Sequence, residues 1–161
     1  MPRRVLRFSI KNDENVVVRW ENATEEGEGT GDVFTIESID LPKVELTDAL
    51  QKMAEHAGEI MELSDKARQA IKVRGIKLSW KHGICGLIIT GDRRLVNSKA
   101  PVVFNTPLFT EKLYADTDGK NIFTPECADD LQKLSDLIFE FVDGDRAQRE
   151  LQFELEEGQA M

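Results

Sequence analysis

From Leu46 to Ile71 the apolar and small residues Leu46, Leu50, Met53, Ala57, Ile60, Ser64, Ala67 and Ile71 step alternately by four and three. That spacing draws one stripe down one side of an α-helix and fits no other regular structure. It predicts a helix over about Leu46 to Glu62, with possible continuation to Ile71. Ser64-Asp65 offers a fresh N-cap within it and Gly75 a terminator beyond it.

On either side of this helix the period falls to two. "VLRFSI" and "VVVRWE" flank the turn-forming "KNDEN" and predict an antiparallel hairpin; "VFTIESIDL" predicts a third strand. Between them, "NATEEGEGTGD" has no large apolar group to bury and predicts a mobile acidic loop over 22–32. After Gly75, Ile76, Leu78 and Trp80 alternate with Lys77, Ser79 and Lys81, which gives one apolar and one cationic face. "CGLIIT" predicts a buried strand after the turn "KHG", and "PVVFNTP" a further strand after the turn "GDRR" and the polar "NSK". "DTDGKN" predicts a turn.

Thr124-Pro125-Glu126 supplies a capping hydroxyl, Pro at the first helical position and an acid in the first turn. A helix striped by Leu131, Leu134, Ile138 and Phe141 follows and stops at Asp143-Gly144. Beyond it, Leu151, Phe153 and Leu155 alternate as in a strand, but the intervening Ala, Gln, Glu and Arg favour helix, and helix is the expectation for 145–156. The fold class expected is α+β: a mainly antiparallel sheet in roughly βββα-βββα order with helices packed on one face. It forms a single domain over 1–156 with a disordered tail at 157–161.

Charge is distributed in blocks. Met1 to Asp65 holds 7 Lys+Arg against 15 Asp+Glu, Lys66 to Ala100 holds 9 against 1, and Pro101 to Met161 holds 5 against 14. A basic segment thus interrupts a chain whose net charge is −9. Its cations are Lys66, Arg68, Lys72 and Arg74 at the end of the helical pattern, Lys77 and Lys81 on one strand face, and Arg93, Arg94 and Lys99 in the loops beyond. If they converge they form a groove for a polyanion, foremost single-stranded nucleic acid, with Trp80, Trp20 and Phe8 as stacking faces. Trp80 alternates with the two lysines, however, and so belongs to the core side. The plain alternative is a solvated face, in which Lys on a strand also discourages edge-to-edge aggregation.

Two other classes compete. One is a protein-interaction module or inhibitor that binds an acidic protein surface, or a homo-oligomer joined through opposite charges. The other is an enzyme using Cys85 with His82; a buried Cys opening a core strand is the better account of that pair. The balance falls against an enzyme. Gly83-Ile84-Cys85-Gly86 matches a bare GxxG, but it joins strands, unlike the helix-joining loop of KH modules.

No phosphate-binding glycine loop is present, and no cofactor or metal is expected. Asp116 and Asp118 begin like a calcium loop, which Lys120, Asn121 and Cys127 then contradict at its fifth, sixth and twelfth positions. Cys85 and Cys127 are expected reduced and unligated. No apolar run is long enough to span a membrane and no secretory signal opens the chain; the expected location is cytoplasmic, where the Asn22-Ala23-Thr24 sequon has no role.

Overall fold

Asn12 takes the left-handed conformation (φ 52°) and the amide of Glu14 bonds the carbonyl of Lys11 at 3.0 Å, so the first two apolar runs fold back on one another. In the computed structural model, which describes residues 2–12, 14–24, 28–81, 83–111 and 121–146, they are β1 (Arg3–Lys11) and β2 (Asn15–Ala23). Next come β3 (Gly29–Ser38), α1 (Val44–Ile60), α2 (Asp65–Arg68), β4 (Ile71–Lys81), β5 (Ile84–Arg93), β6 (Val102–Asn105), β7 (Phe109–Thr110) and α3 (Pro125–Val142). The seven strands form one antiparallel sheet in the order β3-β2-β1-β4-β5-β6, with β7 also pairing β5. The chain is therefore of the α+β class, its order close to the expected one.

The period-two and period-3.6 stripes meet in one core. Phe8, Val16, Val18, Ile76, Leu87 and Ile89 rise from one side of the sheet and are fully enclosed by Leu46, Leu50 and Met53 of α1 and Leu131, Leu134, Ile138 and Phe141 of α3. Thr124 caps α3 as its sequence predicts, accepting from the amide of Cys127 at 3.1 Å, and Gly144 (φ 109°) ends the turn beyond it. The other side of the sheet carries neither α1 nor α3. No helix among the described residues is long and apolar enough to cross a membrane.

Four local expectations are corrected. The helix expected over about 46–62 is α1, and Ser64 is the fresh N-cap expected there, accepting from the amide of Ala67 at 3.3 Å to open the single turn α2; what fails is the continuation to Ile71, because α1 stops at Ile60 and Glu62 reverses the chain at φ 56°. Ile71, Lys72 and Arg74 consequently belong to a strand, because Ile71, which completes the helical step, equally well alternates inward with Val73. Gly75 is not a terminator. It lies where β1 and β4 meet, and a Cβ there would come within 2.3 Å of the Phe8 carbonyl oxygen. The "GDRR" turn is drawn into β5, since the early start of β4 gives Gly91, Asp92 and Arg93 partners in Val73, Lys72 and Ile71.

The acidic loop is shorter than 22–32, with β2 and β3 paired as far as Ala23 and Gly29. The "DTDGKN" turn and the 145–156 expectation fall almost wholly outside the described residues, as does the 157–161 tail.

Candidate polyanion-binding face

β1 and β4 each carry four cations and no acid, and the fold makes them neighbours. α1 and α3 on the opposite layer together carry nine acids against two lysines. Segregation by block in the sequence has thus become segregation by layer in the fold. The block count conceals it, because the four cations of β1 lie in the acidic N-terminal block.

At the centre of the open face, register sets three cations side by side. Arg7 of β1 is directly opposite Arg19 of β2 on one edge and Lys77 of β4 on the other. Phe8, Val18 and Ile76, one residue away on the three strands, are fully buried, so the alternation of a strand turns Arg7, Arg19 and Lys77 outward, where all three are exposed. Like charges directly opposite on a sheet destabilise it. None of the three has a hydrogen bond or ion pair among the described residues. Thr35 and Ile88 continue the row at its two ends and bring no carboxylate. Lys81 stands exposed on the same face of β4.

The nine cations of the basic segment divide by place. Lys72, Arg74, Arg94 and Lys99 line one shallow surface groove of about 390 Å³, in which Arg74 donates to Asp92 at 2.7 Å. Lys66, Arg93 and Arg94 line a second groove beside it, which shares Gln69, Ala70 and Arg94 with the first. The backbone joins them there, the amide of Arg94 bonding the carbonyl of Ala70 at 2.9 Å. Arg68 does not converge. Its Nε donates to the Leu63 carbonyl at 2.9 Å, and its stem lies against Gly58 of α1.

Arg7 and Arg19 lie outside the segment singled out by charge counting. The signal for them was in the hairpin: "KNDEN" centres on Asp13, and Arg7 and Arg19 stand six residues to either side.

The aromatic side chains proposed for stacking are engaged elsewhere. Phe8 is fully buried, Trp80 donates its Nε1–H to the Val5 carbonyl at 3.0 Å with the Arg4 guanidinium 5.0 Å over its ring, and Trp20 stacks on Phe34 at 5.5 Å. Trp80 packs on the core side, as its alternation with the lysines predicts.

The thiol chemistry is quiet. Burial pushes the Cys85 thiol up to about 12, Glu111 and Cys127 adding to the effect and Arg4 opposing it. Its sequence neighbour His82 lies outside the described residues. The fold instead sets Cys127 and His56 on one small cavity of about 210 Å³, and His56 Nε2 lies 2.7 Å from Asp130 Oδ2. Burial also pushes the Cys127 thiol up to about 12, with Asp130 and Glu59 contributing. Such thiols stay protonated in neutral solution and are not poised nucleophiles. Among the described residues no group of three or more His, Cys, Asp or Glu side chains is placed to hold a metal ion. Comparison with protein-family models, curated proteins and solved structures finds no match for this chain.

Proposed function

We propose that this chain binds nucleic acid through its phosphate backbone, single strands before duplex, using the Arg19–Arg7–Lys77 row and the groove lined by Lys72, Arg74, Arg94 and Lys99. The observation that carries the proposal is the row: three cations in register, exposed, with no acid partner among the described residues. An anion laid along it replaces mutual repulsion with attraction. Strands lie about 4.8 Å apart, so the row spans roughly 10 Å, and a flexible single strand can set successive phosphates along it. Base stacking on Trp80 or Phe8 forms no part of this mode, which makes it electrostatic and tolerant of sequence.

Fluorescence anisotropy with a labelled oligonucleotide tests it. At low salt the chain binds, and log K falls with log salt with a slope of about −2 or steeper, as three or more phosphate contacts to a single strand require. Arg7→Gln, Arg19→Gln and Lys77→Gln together flatten that slope by about 2. Absence of binding at low salt refutes the proposal, and so does a slope untouched by the triple substitution.

A second reading, an acidic protein surface as partner, is favoured by the charge of the layers, since a second copy of the helical layer is itself such a surface. Sedimentation distinguishes the two: a mass that grows with concentration at low salt, without oligonucleotide binding, supports the protein partner.

A further inference from the structure

β3 is ten residues long, ends the sheet, and pairs with no described strand on its outer edge. A long edge with apolar side chains invites pairing with another chain. Past Gly31 (φ 87°) β3 runs in unbroken register with β2, from Val33 opposite Glu21 to Ser38 opposite Val16. Alternation places Phe34 and Ile36 on the core side, where Phe34 stacks on Trp20 and is still 42% exposed, and sets Thr35 on the open side beside Arg19.

We propose that β3 pairs antiparallel with β3 of a second copy across a two-fold axis at Thr35, joining the two cation rows into one track for a polyanion. The edge is complementary to itself about that residue. Thr35 meets Thr35, Phe34 meets Ile36 of the second copy, Val33 meets Glu37 and Asp32 meets Ser38, so no acid faces an acid. Face must match face, so the symmetric pairing shifts only by two residues at a time. One such shift sets Asp32 against Ile36, and the other sets it against Asp40. At Ser38 the incoming Asp32 also finds a cation, because Arg146 Nη1 donates to Ser38 Oγ at 3.3 Å.

Thr35 continues the row of Arg19, Arg7 and Lys77, so the axis sets two such rows end to end. Six cations then cross one continuous sheet over about 34 Å, at a strand spacing of about 4.8 Å. The joined track rests on the phosphate-backbone reading of the row; the strand pairing does not.

Disulfide crosslinking of Thr35→Cys and Glu37→Cys tests the pairing. At the axis the two introduced thiols face each other, whereas at position 37 they lie about 14 Å apart, beyond the roughly 7 Å that a disulfide spans between Cα atoms. With diamide as oxidant, which takes up two electrons and both thiol protons, Thr35→Cys crosslinks at least about tenfold faster than Glu37→Cys. The parent sediments as a dimer at about 0.5 mM in about 0.5 M salt, where repulsion between two acidic copies is screened. A monomer under those conditions overturns the proposal, as does equal or slower crosslinking of Thr35→Cys. Oligonucleotide binding then reads the track: the slope of log K against log salt steepens from about −2 for an oligonucleotide that reaches one row to about −4 for one that spans both. An unchanged slope for the longer oligonucleotide overturns the joined track. Crosslinking of Thr35→Cys without any oligonucleotide binding upholds the strand pairing and refutes the phosphate-backbone reading.

Discussion

Replacing Arg7 with Thr should stabilise this protein at low salt while weakening its affinity for polyanions. Arg7 has a like charge directly opposite on both sides, Arg19 and Lys77, and is exposed, so its removal leaves no cavity. Unit charges about 6–7 Å apart in a watery environment repel by about 0.7 kcal/mol, in the direction expected for like charges directly opposite on a sheet. Two such pairs vanish, and Thr is a good strand former, so the net gain is about 0.5–1.5 kcal/mol after the lost packing of the Arg stem. For a chain of this size that raises Tm by about 2–5 °C. Urea or thermal unfolding in about 20 mM salt measures it, and repetition at about 1 M, where the screening length drops to about 3 Å, should erase most of the gain. A gain equal at both salts would mean that strand propensity and not charge is responsible. Destabilisation at low salt would show that Arg7 has a partner in the folded chain and would remove the argument for an anion site.

Three further outcomes follow from single contacts. Gly75→Ala places a methyl carbon 2.3 Å from the Phe8 carbonyl oxygen, a backbone atom that cannot step aside, and should cost about 2–3 kcal/mol by chemical denaturation. Cys85 and Cys127, with thiols pushed up to about 12, should resist iodoacetamide at pH 8 in the native state and react only as the chain unfolds, as the mass of alkylated protein over time will show. Burial acts to raise the Asp130 carboxyl, but hydrogen bonds from His56 and Lys52 prevail and hold it below its ordinary 3.8. A depressed carboxylate adds stability above its unfolded value and loses it as pH falls through the folded one. Asp130→Asn should therefore be less stable than the parent at pH 6, with the gap in denaturation midpoint closing as pH drops below 3.8.

The parts of the fold that were legible in the sequence are those fixed by local chemistry. Thr124, Pro125 and Gly144 bound α3 whatever surrounds it, and the alternation around Trp80 assigns its side of the sheet without knowledge of the neighbours. Where two periods fit the same residues, local chemistry could not decide. Ile71 continues a helical step and opens a strand equally well, and Gln51 of α1, whose side chain bonds the Ile71 carbonyl at 2.9 Å and the Val73 amide at 3.1 Å, helps hold the strand form. That is a contact across twenty residues. The candidate site was half legible for the same reason. Lys77 and its cationic face follow from period two, whereas its pairing with Arg7 depends on β1 lying beside β4, a long-range choice of sheet order.

That choice has a consequence for how binding and stability are coupled. The sheet divides into β3-β2-β1 and β4-β5-β6 with β7 on β5, and β1 meets β4 in three registered pairs: Arg7 with Lys77, Phe8 with Ile76 and Ser9 with Gly75. Phe8 and Ile76 anchor the seam from the core, Gly75 allows the backbones to close, and Trp80 bridges it by its bond to the Val5 carbonyl. One of the three pairs is a repulsive pair of cations. The short seam thus carries its electrostatic cost on the open face, where an anion can reach it. A ligand that bridges Arg7 and Lys77 binds the closed seam and not the separated strands, so it must stabilise the native sheet; at a hundred times its Kd that amounts to about 2.7 kcal/mol. The proposed binding row therefore lies at the seam between β1 and β4, where occupancy would act on the contact between the two halves of the sheet.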